Sequence, residues 1–279
     1  MGVEGLWPLL RENGHEAAVH YLAVLCSGYN TSSPSKIRVD FSGTFFCTIR
    51  SAYSRHPDDQ AHEIMERELR KYGNESSLVL YFDGDACEEK KPTHSKREAV
   101  RAKAVQAAHI QLEDLEQRVE NKTRVRKRLF FNITKQLRTA FRWSNKARAS
   151  LATYLRDKGW AVKECVFEAD VAIANDCLPG DVVVSRDSDM LGYESISTIW
   201  RPLSNGRILM YETSELLHSL DMTRAQLTAL CVVSRNDYND NKTSLACSTN
   251  LEIIKELEEG NLCAMERHAR NEMKRWSQH

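Results

Sequence analysis

The stretch Val182-Val183-Val184-Ser185-Arg186-Asp187-Ser188-Asp189-Met190-Leu191 sets the fold class of this chain. Its three β-branched residues form a continuous apolar run between Pro179-Gly180 and a charged loop. Such a run predicts a strand buried on both faces, as in a parallel sheet. Asp187 and Asp189 then fall at its carboxyl end, where open α/β sheets place their sites. Alternate residues of a strand share a face, so both acids face one site if the extended backbone continues through them. Taken alone, a D-x-D of this kind is more often a turn that caps a helix. Like charges that close repel each other unless a cation sits between them. A metal site therefore requires that further acids arrive at the same place.

Other predicted strands bring them. Ile37 to Phe46 reads as a strand opening into a helix, with Asp40 at the transition. Leu78 to Phe82 is a second buried strand, ended by Asp83. Ala161 to Phe167 is a third, and Glu168-Ala169-Asp170 after it opens a helix. Ile196 to Trp200 and Arg207 to Tyr211 suggest two more strands around a Ser204-Asn205-Gly206 turn. Thr223 N-caps a helix running to Val233, and Asp237 follows it, able to return to the same rim. A helical period over 58–72 finishes at Gly73-Asn74, a reasonable C-cap. The opening MGVEGLWPLL suits a buried arm or a short helix, and 11–36 is mixed in character. Leu251 to Trp276 is amphipathic and helical. Strands alternating with helices indicate an α/β fold with a parallel-rich central sheet flanked by helices.

The chain has 279 residues, 42% of them hydrophobic, enough for one large domain or two small ones with a sizeable core. Net charge is zero, but the charge is segregated. Between Lys90 and Arg148 stand seventeen Lys and Arg against five Asp and Glu. From Asn121 to Arg148 there are ten cations, no acid, and the interleaved rings of Phe130, Phe131, Phe141 and Trp143. Uncompensated cations repel one another without a polyanion, so this helical stretch suits a nucleic-acid clamp better than a merely solvated face. The eight cysteines contain no C-x-x-C pair, which fits reduced thiols in an intracellular protein, not a zinc site or a disulfide frame. No signal peptide or run of membrane-spanning length is visible, so no membrane partner is expected.

Seven carboxylates gathered at one sheet end, Asp40, Asp83, Glu168, Asp170, Asp187, Asp189 and Asp237, cannot all stay ionised without cations. Oxygen ligands with no His or Cys among them select Mg2+ or Mn2+ over Zn2+. Two such ions about 4 Å apart are a familiar device for displacement at a phosphodiester.

Here the sequence resembles the structure-specific 5′ nuclease superfamily, the flap endonuclease and XPG group, from residue 1 to about 240. MGVEGLWPLL resembles its opening segment, KIRVDFSGTFF its first acidic strand, and LVLYFDGD its FDG motif. CVFEADVAIA resembles E-A-E-A-x-x-A, VVSRDSDML resembles S-x-D-x-D-x-L, and SRNDYND resembles G-x-D-Y. In the family, a Lys seven residues and an Arg fourteen residues after the FDG acid reach the scissile phosphate, and those offsets hold Lys90 and Arg97 here. The resemblance implies a PIN-like nuclease domain over 1–240, with a basic helical arch or gateway insertion at about 98–145 and a helical C-terminal segment at 241–279. It implies a Mg2+- or Mn2+-dependent structure-specific endonuclease or 5′ exonuclease holding two ions, acting on branched or flapped DNA as a nuclear monomer. Lys90, Arg97 and Asp187 would be catalytic, and Gly2 would lie near the cleaved bond. Lys122, Arg124, Arg126, Lys127, Arg128, Lys135, Arg138 and Arg142 would grip nucleic acid. The alternatives are a non-catalytic nucleic-acid-binding scaffold in RNA regulation and a PIN-type ribonuclease.

The sequence departs from the family pattern at three places. Asp170 replaces the second Glu of E-A-E, and Asn236 stands where a small residue is usual. After Tyr238 the family's Gly-x-Gly duplex-gripping hairpin is replaced by NDNKTSLACSTNLEII, which has neither Gly nor Pro. No PCNA-binding tail motif is present.

Overall fold

A computed structural model describes residues 2–12, 18–29, 35–85, 87–236 and 245–258. The chain divides into two compact units, one drawn from 1–44, 71–84 and 160–279, the other from 45–70 and 85–159.

The first unit is built on a seven-stranded sheet. Its strands are β1 (Ala18–Tyr21), β2 (Ile37–Asp40), β3 (Leu78–Phe82), β4 (Ala161–Glu164), β5 (Val182–Val184), β6 (Thr198–Pro202) and β7 (Arg207–Glu212), in the spatial order β1-β7-β6-β5-β2-β3-β4. From β6 across to β4 neighbouring strands run parallel. β7 turns back antiparallel on β6, and β1 pairs antiparallel with β7 at the edge. The three valines of β5 are fully buried, as a central parallel strand requires.

Helices α1 (Leu6–Glu12), α8 (Ala169–Asp176), α9 (Thr213–Leu220), α10 (Arg224–Val233) and α11 (Cys247–Glu258) pack apolar side chains against the sheet, among them Leu6, Leu10, Ile173, Leu216 and Leu227 on Val183 and Ile199. α10 starts at a reciprocal capping box, where Thr223 Oγ1 accepts from Gln226 N and Gln226 Oε1 accepts from Thr223 N. Toward the amino ends of β2 and β5, the buried Arg38 guanidinium donates from Nε to Asp181 Oδ2 at 2.7 Å and from Nη1 to Tyr81 Oη at 2.5 Å. A buried ion pair so completely bonded fixes register, and loss of one partner costs about 3–5 kcal/mol.

The second unit is helical. It contains α4 (Asp58–Leu69), α5 (Lys91–Glu120), α6 (Lys127–Ala140), α7 (Asn145–Asp157) and the greater part of α3 (Phe41–Tyr53). Tyr154 Oη on α7 donates to Glu66 Oε2 on α4 at 2.7 Å. α5 and α6 form a hairpin, and Arg142 just after α6 pairs with Glu98 near the start of α5 at 3.0 Å.

The structure differs from the sequence expectations at several element ends. The mixed stretch 11–36 holds β1 and α2 (Leu22–Tyr29), and Thr213–Leu220 is a helix the pattern did not announce. The helix expected to end at Gly73-Asn74 stops at Leu69, where Arg70 N donates to Glu66 O. The strand expected to reach Phe167 ends at Glu164, and the opening decapeptide becomes a short arm followed by α1. Of the helix expected from Leu251 to Trp276, the part to Glu258 is helical in α11, and the rest lies outside the described residues.

Candidate active site

β5, β2, β3 and β4 are neighbours, and each delivers acid at or just beyond its carboxyl end. The chain passes outward from β2 to β3 and β4 on one side, and from β5 to β6 and β7 on the other. The crevice between β2 and β5 is thus the topological switch point, the place where open parallel sheets bind ligands.

Asp40 closes β2 at that point and is 6% exposed. Its Oδ2 accepts from Ser185 Oγ at 2.7 Å, across the switch, and its Oδ1 accepts from Gly43 N at 2.9 Å. Ser185 Oγ in turn accepts from Asp187 N at 3.0 Å, so one hydroxyl ties both acids together. Burial, followed by the negative charge of Asp83, pushes the Asp40 carboxyl up to about 8 against the pull of its two hydrogen bonds.

Asp187 and Asp189 do not share a strand face. The strand ends at Val184, and Ser188–Gly192 forms a single 3-10 turn. Asp187 caps that turn, with Oδ1 accepting from Asp189 N at 3.1 Å. The two readings of D-x-D are therefore compatible: Asp187 is a cap, and its charge is also felt by Asp40.

Asp83 Oδ1 accepts from Ala169 N at 3.0 Å and so caps α8 from another strand. Glu168, the N-cap residue itself, makes no side-chain capping bond. Asp170 is buried in the first turn of α8, at 8% exposure. The Cys165 thiol beside them is pushed up to about 11 by burial and then by Asp83, so it stays a thiol and not a thiolate ligand.

The N-terminal arm packs directly on this edge. Gly2 has φ +100°, and a methyl on its Cα would overlap Asp187 Oδ1 and Ser188 Oγ. Ser188 Oγ donates to Val3 O at 3.3 Å, and Glu4 N donates to Arg235 O at 2.7 Å. Asp237 lies outside the described residues. Asn236 before it lines a cavity of about 450 Å³ together with Asp189, Tyr193 and Cys231.

Among the described residues no three His, Cys, Asp or Glu side chains converge closely enough to hold a metal ion. The donor chemistry nevertheless fits a hard divalent cation. The donors are carboxylate oxygens, and the buried Asp40 carries a charge penalty that a cation would relieve.

No family model matches the chain. It is 25% identical over 272 residues to flap endonuclease 1 of Glycine max, covering 92% of this chain and 66% of that protein, slightly under two thirds of its length. Its fold matches human GEN1 in complex with Holliday junction DNA, with a TM-score of 0.58 and 13% identity over 99% of this chain and 63% of that one. It also matches the catalytic core of Rad2 in complex with DNA substrate, with a TM-score of 0.54 and 15% identity over 91% of this chain and 68% of that one. These similarities, to flap endonuclease 1 in sequence and to GEN1 and Rad2 in fold, agree with the resemblance to the structure-specific 5′ nuclease superfamily. The chain's sheet with flanking helices is the mixed α/β fold shared by these neighbours of the superfamily.

The basic positions that the superfamily resemblance singled out lie in the second unit. Lys90 ends a 3-10 turn with helical φ and ψ, is buried at 7% exposure, and leads into α5. Arg97 follows seven residues later, two helical turns on, and shares its face of the helix. Lys122, Arg124 and Arg126 lie in the connection between α5 and α6, Lys127, Arg128, Lys135 and Arg138 on α6, and Arg142 just beyond, all exposed. Apart from that of Arg142, none of the eight charged groups has a partner among the described residues.

Sequence reasoning passed over the groups that hold the acids: Ser185, the Gly43 amide and the Ala169 amide. Ser185 had a visible signal, because it stands two residues before Asp187 in the quoted motif. The Ala169 bond had none, because its partners are 86 residues apart.

Proposed function

We propose that this protein is a divalent-metal-dependent, structure-specific nuclease that hydrolyses phosphodiester bonds in branched or 5′-ended DNA, working in the nucleus. The observation that carries the reading is the row of acids at the carboxyl ends of four neighbouring parallel strands, bridged across the switch point by Ser185.

Asp40, Asp83, Glu168, Asp170, Asp187, Asp189 and Asp237 would hold two Mg2+ or Mn2+ ions. Bound there, the ions supply an activated water and charge stabilisation for the attacking and leaving oxygens of an in-line displacement. The chain's own groups set the geometry. Ser185 orients Asp40 and Asp187 relative to each other. Asp83 fixes the first turn of α8 and with it Glu168 and Asp170. Gly2 presents bare backbone beside Asp187, leaving room for a phosphate where a side chain would intrude. Lys90 and Arg97 place positive charge on the scissile phosphate as negative charge develops. The α5–α6 hairpin serves as the arch, and its exposed cations hold the strand.

The test is cleavage of a labelled 5′-flap duplex with Mg2+ and with EDTA, for the wild type and Asp187→Ala. Cleavage that survives either EDTA or the substitution rejects the proposal.

A further inference from the structure

Beside the acids stands a pair of apolar side chains that neither the core nor the metal chemistry uses. Val166 is 76% exposed and Phe167 is 57% exposed, immediately before Glu168. A hydrophobic residue preceding an N-cap is ordinarily buried as a staple against the fourth helical residue. Here that residue is Ala172, and Phe167 stays in water.

The exposure does not come with a loose backbone. Cys165 N donates to Phe82 O at 2.9 Å, Gly84 N donates to Phe167 O at 2.6 Å, and Ala169 N donates to Asp83 Oδ1 at 3.0 Å. These bonds stitch the loop to the end of β3 on both sides of the exposed pair. Gly84 permits the closeness, because a Cβ there would overlap the carbonyl oxygens of Cys165 and Val166. The ring is thus held up to solvent on a fixed loop, adjoining the residues that flank the candidate metal edge.

We propose that Phe167, supported by Val166, is a stacking platform for an unpaired nucleobase of the substrate next to the cleaved phosphodiester. The inference rests on the nuclease reading above and adds a recognition element to it. The acids can engage phosphate only through cations, so they offer nothing to a base. An aromatic face one residue from Glu168 offers what every base can use, a π-surface, at little entropic cost because the loop is already ordered. Recognition of this kind tolerates any sequence and requires that the base be unstacked, which matches a preference for flaps and branches over intact duplex.

The experiment uses a 5′-flap duplex with 2-aminopurine at the unpaired nucleotide beside the junction, and a matched duplex that is abasic there. Wild type, Phe167→Ala, Phe167→Leu and Phe167→Trp are compared for affinity with Ca2+ in place of Mg2+, and for kcat and KM with Mg2+. Stacking of one base corresponds to about 5- to 150-fold in affinity. Phe167→Ala and Phe167→Leu are expected to weaken binding and raise KM within that range while kcat changes little. Phe167→Trp should restore both, and on the abasic flap wild type and Phe167→Ala should bind alike. A loss of affinity that persists on the abasic flap, or Phe167→Leu behaving as wild type, overturns the proposal. A change in sedimentation with unchanged DNA binding also overturns it and makes the pair a self-association surface. Wild type that cuts flaps normally beside an equally active Phe167→Ala refutes the platform alone. Wild type that neither binds nor cuts any flap refutes the nuclease reading and the platform with it.

Discussion

The acidic edge and the basic hairpin use charge in opposite ways. At the edge, Asp40, Asp83 and Asp187 each accept a bond from a backbone amide, and the buried Asp40 also accepts one from a hydroxyl. On the hairpin, the charged groups of Lys122, Arg124, Arg126, Lys127, Arg128, Lys135 and Arg138 stand in solvent without a partner among the described residues. Fixed, partly dehydrated charge acts through position, because fields are strong there and geometry decides their sign. Exposed, mobile charge acts through amount, because each cation adds a similar screened increment. The edge should therefore be sensitive to single atoms, and the hairpin only to the sum.

The largest effect is expected at Asp187. Asp187→Ala removes a proposed ligand, the cap of the 3-10 turn and part of the charge felt by Asp40. Loss of an outer-shell group alone costs about 10–100-fold in activity, so kcat on a 5′ flap should fall by more than that. A smaller fall would remove the distinction between edge and hairpin.

Gly2→Ala comes next. The new methyl meets Asp187 and Ser188 from a backbone at φ +100°. Gly159→Ala is the control, because Gly159 has φ +90° with nothing within 4 Å of a Cβ. Both variants carry conformational strain of about 1–3 kcal/mol, but only Gly2→Ala intrudes on the edge. Thermal midpoints should fall in both, while kcat should fall only in Gly2→Ala.

Ser185→Ala removes the bridge between Asp40 and Asp187 while keeping every proposed ligand. A loss of about 10- to 100-fold in activity or metal affinity is expected, read as kcat and as the Mg2+ concentration for half-maximal rate. Full activity would mean that the acids hold their geometry without the hydroxyl.

Asp40 gives a pH signature without metal. Its native carboxyl titrates at about 8 against an ordinary 3.8. Between those values the native state keeps a proton that the unfolded state has lost. Stability in EDTA should therefore fall as pH rises from about 4 to about 8 and level off above. Asp40→Asn should flatten that fall and be the more stable protein above about pH 8, read from urea midpoints at about pH 5 and about pH 8.5. Parallel pH profiles for the two proteins would show that Asp40 is not held protonated.

What could be read from sequence was what is local in the chain. Val182–Val184 announces a buried parallel strand by itself, and Asp40, Asp83 and Asp187 each stand within three residues of a strand end. What could not be read depends on distant partners. β1 has only four residues and exists by pairing with β7, and the Asp83 cap of α8 joins separate strands. Element ends were missed for the same reason. Once Val184 is passed, the Asp187 side chain bonds the Asp189 amide and turns the backbone, which strand periodicity cannot anticipate. The order of the acids along the chain was legible and the Ser185 hydroxyl had a local signal, but the Ala169 amide that holds Asp83 from 86 residues away had none.

The smallest effect is expected from single hairpin cations, and it tests the other half of the comparison. Arg128 is exposed and carries no ion pair among the described residues, so its removal leaves no buried group unsatisfied. Arg128→Ala should leave folding unchanged and weaken flap binding only a few-fold at moderate salt. Its signature is the salt dependence. Each phosphate that is no longer neutralised lowers the slope of log affinity against log salt by about 0.7 to 0.9. Arg124→Ala and Lys135→Ala should each lower it by a similar step, and the double and triple variants should add, because the three exposed charges share no ion-pair partner among the described residues. Additive slopes mean that the hairpin senses the total negative charge of the strand lying on it. A single substitution that abolished binding while its neighbours did nothing would instead show positional recognition on the hairpin, of the kind expected only at the acidic edge.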